Sequence, residues 1–481
     1  MIFEPVIGME IHVELASKAK VFCECDAGFG TEPNTHTCPV CLGLPGTLPV
    51  LNPRSLELAL RVCIALGCEI PSVSTFDRKN YYYPDLPKNY QISQQYHPFG
   101  RNGVLEIPVG DAARGIGIDN VHLEEDAGKN IHPETRDLAG TTLVDLNRAG
   151  VTLLEIVSRP DMRSLEELRS YMQTMWSLLR YIEVSDCKIQ EGSMRFELNV
   201  SVRPEGSEEI SKQYVEVKNV GSMTSVLRAA EYEIERQSDL METGGTIAKE
   251  TRLWDDNRGE TRTMRGKEFA QDYRYFPEPD LVPIEISREW IEEIRSGLPE
   301  LPLAKRDRFI ADHGISAYDA EVLVADRANA EFFEETIRLG APPKTAANWV
   351  TTNIMGVLNE RGIEIGQLPI TPTHLAETIA LIEEGTISTK IAKTVFEEIL
   401  ATGKPPKRIV EEKGLVQISD EGALEAEIEK AIAENPQAAE QFAAGKEKAI
   451  GRIVGTVMKA TQGKANPQLV QEIIIRKLKG G

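Results

Sequence analysis

Strict alternation from Val6 to Leu15 is the strongest constraint this sequence places on its own fold. Ile7, Met9, Ile11, Val13 and Leu15 fall on one side of an extended chain, with Gly8, Glu10, His12 and Glu14 on the other. A period of two belongs to a strand with one face on a core and the other toward water or ligand. Such a strand needs a sheet to pair with and an apolar layer behind it. Arg195–Arg203 repeats the pattern, setting Phe196, Leu198, Val200 and Val202 against Glu197, Asn199 and Ser201; Tyr214–Val220 repeats it more weakly. Helical stretches lie between, at Pro53–Leu66 and Ser164–Ile182, the latter opened by Ser164 with Glu167 in capping-box spacing. The elements interleave without a regular βαβ rhythm, which predicts an α+β body built on an antiparallel sheet helped by helices.

Pro277, Pro279 and Pro283 crowd one passage, after which alanine-, glutamate- and leucine-rich helical runs begin near Ser287. Gly403-Lys-Pro-Pro406 suggests a second junction. The expected domains are residues 1–290, 291–405 and 406–481, consistent with a chain long enough for several cores. No apolar run reaches the roughly 18 residues of a membrane span, and the first residues lack the basic and apolar stretches of a signal peptide. Reduced thiols and a cytoplasmic location are therefore expected. The net charge of −21 argues against a polyanionic partner, but the charge is unevenly spread. Residues 411–444 hold nine acidic and two basic side chains, and residues 445–481 hold eight basic and two acidic. The basic end suits local phosphate contact; a solvated lysine-rich helix end is the plainer alternative.

Cys23 and Cys25, then Cys38 and Cys41, form two short-spaced thiol pairs bridged by twelve residues. Each pair spans one edge of a tetrahedron, and thiolates suit a borderline-soft cation, so the expected ligand is structural zinc. A disulfide framework is disfavoured, because 7 cysteines in 481 residues are few and odd in number. His12-Val-Glu14 ahead of Cys38-x-x-Cys41 also resembles a zinc-deaminase signature, but Pro39 falls inside the cysteine pair and two further thiols compete for the metal.

Glu10, His12 and Glu14 share one strand face; His122-Leu-Glu124-Glu125-Asp126 forms another acidic group, and Glu197 with Asn199 a third. Carboxylates and an imidazole converging on one cleft would hold magnesium or manganese; solvated strand edges are the alternative for any one of them. Arg78–Tyr90 is dense in tyrosine and lysine, and Asp272–Phe276 is similar. Either could stack a base and bind phosphate, or pack as an ordered loop. The sequence contains neither a Walker A loop nor a G-x-S-x-G elbow.

Several segments together resemble one family: VIGMEIHVE (6–14), CPVCLGLPG (38–46), KNYYYPD (79–85), HLEEDAGK (122–129), NRAGVTLLEIV (147–157), DYRYFPEP (272–279) and GTVMKATQGKANP (455–467). They look like the B subunits of tRNA-dependent amidotransferases, and the match spans nearly the whole chain. The resemblance implies a cradle-like α+β body, a helical domain and a YqeY-like tail. It implies a ligase that forms a carbon–nitrogen bond with glutamine as amido donor. Mischarged Glu-tRNA(Gln), and in the wider reading Asp-tRNA(Asn), would be activated by ATP and magnesium. Ammonia would arrive from an amidase-fold A subunit, with a small C subunit completing a heterotrimer. The alternative is a non-catalytic tRNA-binding or assembly subunit.

On this reading magnesium falls to Glu10, His12, Glu124, Glu125 and Glu197, with zinc on the four cysteines. Lys79, Lys88, Glu125 and Arg274 take catalytic roles, and Tyr81, Asn147, Arg148, Glu155 and Tyr273 line the substrate pocket. Lys459, Lys464, Asn466 and Arg476 meet the tRNA backbone, where shape and 2′-hydroxyl recognition suffice. Two departures stand out: Glu197 occupies a position where a shorter acidic residue is expected, and Gly221–Ser225 diverges from its surroundings.

Overall fold

The computed structural model describes residues 2–110, 112–133, 140–207, 213–264, 272–417, 421–461 and 464–479. The chain forms two compact units, Met1–Leu301 and Pro302–Gly481. In chain order the strands of the first unit are β1 (Phe3–Glu14), β2 (Val73–Ser74), β3 (Asp77–Asn80), β4 (Tyr90–Ser93), β5 (Gly100–Val109), β6 (Ala112–Glu125) and β7 (Lys129–Ile131). There follow β8 (Leu143–Asp145), β9 (Thr152–Ser158), β10 (Met194–Pro204), β11 (Val215–Val220), β12 (Glu250–Asp255), β13 (Glu260–Thr263), β14 (Phe276–Pro277) and β15 (Ile284–Glu285). Eight of them make one sheet in the order β13-β12-β11-β10-β1-β9-β6-β5.

The head strand sits in the middle of this sheet, antiparallel to β10 on one side and β9 on the other. Its apolar residues Ile7, Met9, Ile11 and Val13 are fully buried, and Glu10, His12 and Glu14 are half-buried on the other face. Four helices complete the unit: α1 (Pro53–Ala65), α2 (Leu165–Tyr181), α3 (Met223–Glu242) and α4 (Arg288–Ser296). Helices α1 and α2 pack on the β5 end of the sheet and α3 on β10 and β11. Leu58, Met172 and Ala229 join the strand residues in a single core. The sheet departs from the antiparallel expectation at one pair, β11 and β12, which run parallel across the α3 crossover, as a parallel connection requires.

Local chemistry explains the helix starts. Asn52 accepts from the Arg54 N–H and Pro53 opens α1. Ser164 caps α2 by accepting from the Glu167 N–H. The Glu167 side chain does not close the expected box; it accepts instead from the Arg163 N–H at 2.6 Å and pairs with Arg114. Helical character begins at Ser287, the cap of α4. Yet α4 packs on α1 with Ile294 buried, so the first unit runs on to Leu301.

The second unit is helical, with its last four α-helices at Glu421–Glu434, Pro436–Ala443, Ile450–Ala460 and Pro467–Lys479. Leu424, Ile428, Phe442, Ile453, Val457 and Ile474 give that stretch a core of its own. Among the described residues, no helix is long and apolar enough to cross a membrane.

Candidate active site and metal centres

Sheet register assembles the polar face row by row. His122 on β6 lies opposite Glu155 on β9, Glu155 opposite His12 on β1, and His12 opposite Arg195 on β10. Glu10 lies opposite Glu197, and Asn199 opposite Glu216 on β11. Alternation then gathers two sets of ligand atoms, each within 4.8 Å of one another: His12, Glu124 and Glu155, and Glu10, Glu197 and Glu216. Oxygen and imidazole donors at that spread suit a small divalent cation with positions left for water or phosphate. The sequence motifs do not single out Glu216; the weak alternation of Tyr214–Val220 is the signal that places it beside Glu197.

Electrostatics knit the first set together. Glu155 takes His12 Nε2 at 3.3 Å and His122 Nε2 at 3.1 Å. Burial alone would lower the His122 imidazolium, but Glu155 and Glu124 outweigh it and push it up to about 10. Burial raises the Glu155 carboxyl, yet His122 and His12 hold it well below the usual carboxylate range. A metal on this set would replace the proton that His12 shares with Glu155. In the second set, burial raises the Glu10 carboxyl, with Glu155 adding to the shift. Lys218 sits 2.7 Å from Glu197 and 3.1 Å from Glu216.

Lys79 on β3 reaches the same region. Burial disfavours its charge, but Glu124 together with Tyr275, Glu155 and Tyr81 outweighs that and holds the ammonium above its usual range. It lies 5.2 Å above the Tyr273 ring, which contacts Tyr81 and Tyr275 edge-on at 6.0 Å. Tyr275, within the Asp272–Phe276 segment, is pushed up to about 12 by burial, with Lys79 acting against the shift.

Glu125 stands apart from both sets. Consecutive strand residues face opposite ways, so Glu125 points to the side of Val121 and Leu123. There it accepts from the Ile92 N–H at 2.9 Å and pairs with Lys88. The pair borders a cavity of about 120 Å³ that Cys23, Cys41 and Tyr90 also line. Gly43 closes this side with φ +66°, and a Cβ there would collide with the Lys88 side chain.

Arg274 is also elsewhere. Its side chain is 83% exposed, 3.7 Å from Asp272, on a turn with φ +46°. Asn147 holds the cysteine loop, donating to the Glu32 carbonyl at 2.7 Å and accepting from the His36 N–H at 2.8 Å. Arg148 donates to the Ala127 and Gly128 carbonyls. In the tail, Lys459 and Arg476 are exposed and Lys464 half-buried. Asn466 caps the last helix through the Gln468 N–H at 3.0 Å. Gln462 and Gly463 of the tail motif lie outside the described residues.

The four thiols converge, all within 4.8 Å. Cys38 and Cys41 Sγ are 3.9 Å apart, matching the roughly 3.8 Å edge of a zinc–thiolate tetrahedron. Lys20, fully buried, donates to the His36 carbonyl at 2.8 Å and lies 3.7 Å from Cys41 Sγ. A cation there offsets the charge of four thiolates around one dication. His12 groups with carboxylates instead of these thiols, which removes the footing of the deaminase reading. Zinc content per chain, measured on protein purified under reducing conditions, is expected to be one. Cys38→Ser is expected to lose the metal and lower the melting midpoint; metal-free wild-type protein of equal stability would remove the zinc assignment.

A family model described as the GatB/GatE catalytic domain matches residues 5–292, the unit that carries both ligand sets. A second, described as a GatB domain, matches residues 331–478. The chain belongs to the GatB family. It is 53% identical over 478 residues to the B subunit of the aspartyl/glutamyl-tRNA(Asn/Gln) amidotransferase of Thermoanaerobacter pseudethanolicus, covering 99% of this chain and 100% of that one. The protein of the same name from Geobacter sulfurreducens is 52% identical over 480 residues, covering 100% of both. That from Carboxydothermus hydrogenoformans is 51% identical over 476 residues, covering 99% of each. Both candidate ligand sets of this GatB chain, Lys79 and the thiol cluster fall inside the match to the catalytic domain.

Proposed function

We propose that this chain is the B subunit of a tRNA-dependent amidotransferase, a ligase that converts Glu-tRNA(Gln), and Asp-tRNA(Asn) where that species occurs, to the amide. The observation that carries the reading is the pair of three-ligand sets on the polar face of the sheet, with Lys79 in electrostatic contact with Glu124 of one of them. A carboxylate does not surrender oxygen to ammonia directly. Its oxygen attacks the γ-phosphorus of ATP, the bond to the β–γ bridging oxygen breaks, and ADP leaves with the electron pair. Ammonia then attacks the acyl carbon, phosphate departs with the C–O electrons, and the nitrogen sheds a proton.

His12, Glu124 and Glu155 would hold one magnesium ion, and Glu10, Glu197 and Glu216 a second. Bound there, the ions would supply charge neutralisation to the phosphoryl group. Lys79 holds charge beside the same oxygens, and the tyrosines around it shape the wall on which the acyl ester lies. Lys88 and Glu125, on the other side of the strand, suit the entry of ammonia formed by an amidase-fold A subunit, with a small C subunit completing the assembly. The basic end of the tail suits the tRNA backbone. A three-part division, with its first boundary at Leu301 in place of residue 290 and a second near residue 405, belongs to the same proposal.

The test uses the chain assembled with its A and C partners and follows γ-phosphate release from ATP. Release is expected to require both magnesium and mischarged tRNA. Tight tRNA binding without release would leave only the tRNA-binding reading. Glu125→Gln is expected to leave release within a few-fold of wild type and to depress amide formation driven by glutamine. Release abolished by Glu125→Gln would return that residue to the phosphoryl site.

A further inference from the structure

We infer that Arg195 binds the phosphoryl group in transfer. The inference rests on the reading of this site as an ATP-dependent carboxylate-activating centre. Arg274 lies out in solvent with Asp272, whereas Arg195 lies in register with His12, at the end of the row His122–Glu155–His12. It is two residues from Glu197 on the same face of β10, so it borders both ligand sets. The two sets are acidic, and phosphate oxygens that meet them need a cation on each flank. Lys79 approaches Glu124 from β3, and Arg195, bonded to Asp126 two residues further on, approaches it from β10.

The side chain is incompletely used. Nη2 donates to Asp126 Oδ2 at 2.7 Å, while Nε is buried with no hydrogen-bond partner among the described residues. Arg148 already lies 3.4 Å from the same carboxylate, so Asp126 has a second cation. A guanidinium is a planar fork of five donors, and one bond leaves most of it unsatisfied. Buried donors without partners are uncommon and call for an explanation. About a third of the side chain, 35%, still reaches solvent, which gives a ligand access. A tetrahedral or trigonal-bipyramidal phosphoryl group offers paired oxygens that the fork accepts bidentately. In the transfer, the phosphoryl group's charge is spread over three equatorial oxygens held in a trigonal plane while ADP departs with the electrons of the breaking bond and the bond from the substrate carboxylate forms. A fixed guanidinium stabilises that charge more than it stabilises bound ATP.

The experiment compares wild type, Arg195→Gln, Arg195→Lys and Asp126→Asn in the assembled complex, with magnesium and mischarged tRNA. Arg195→Gln is expected to lower the kcat of phosphate release by about 100-fold or more, with little change in tRNA affinity. Arg195→Lys retains charge without the fork and is expected to remain at least about 10-fold impaired. Asp126→Asn is expected to cost much less than Arg195→Gln. If Arg195 serves only to anchor Asp126, Asp126→Asn reproduces the full loss and Arg195→Lys restores activity, and the inference is overturned. Should Arg195→Gln fail to fold, the lysine variant decides: full activity overturns the inference. Wild-type rates in the glutamine variant also overturn it. No release from wild type would instead defeat the kinase reading, a separable outcome.

Discussion

Replacing Glu155 by glutamine is expected to lower phosphate release on mischarged tRNA by about a thousandfold or more, with tRNA binding retained. Glu155 is the middle of the row, 3.3 Å from His12 and 3.1 Å from His122, and it shares its ligand set with Glu124. The amide keeps the size of the side chain and removes the charge that both imidazoles face. One anionic ligand of the proposed magnesium site is lost as well, so a single atom change strikes the proposed cation binding and the orientation of His12 together. Steady-state release measured over a magnesium titration separates the two: weakened metal affinity shifts the midpoint, and misorientation lowers the plateau. Unchanged release at every concentration would move the chemistry to the Glu10, Glu197 and Glu216 set.

Glu278→Ala should give the largest loss of stability, about 3–5 kcal/mol, read from the denaturant midpoint. Arg78 forks onto this carboxylate, Nε to Oε2 at 2.7 Å and Nη2 to Oε1 at 2.9 Å, with the glutamate side chain wholly buried. The guanidinium itself lies 4.2 Å over the Tyr90 ring. Alanine at 278 leaves this cation with only the peripheral Asp280 at 3.0 Å. The pair joins β3 to β14, and Lys79 is the next residue along β3. Loss of activity beyond the loss of folded protein is therefore expected, through Lys79. A midpoint within about 1 kcal/mol of wild type would show that Asp280 and water suffice.

Local pattern made half of this site legible. The alternations of β1 and β10 put Glu10, His12 and Glu197 on one face before any coordinates, and cysteine spacing alone located the thiol cluster. The same rule, applied to His122–Glu125, separates Glu124 from Glu125, since neighbours on a strand cannot share a face; a patch of acidic letters hides that parity. Arg274 drew attention through its aromatic neighbours, but a left-handed turn carries it outward. Asn147 and Lys20 act on the cysteine loop over long sequence separations, and no local pattern encodes a hydrogen bond from 147 to 36. Arg195 became visible only through strand register, which sets it opposite His12.

The ligands on the open sheet face also carry a message about time. Residues 10, 12, 124, 155, 197 and 216 come from five strands, and contacts this distant in sequence form late, after the loops between them have closed. A growing chain on the ribosome holds no complete His12, Glu124 and Glu155 set until β9 has paired with β1. The second set waits longer still, for β11 to emerge. On the proposed reading, the second set closes when β11 pairs, before β12 and β13 extend the sheet to its edge, so the capacity to activate a carboxylate waits for all but the last two strands.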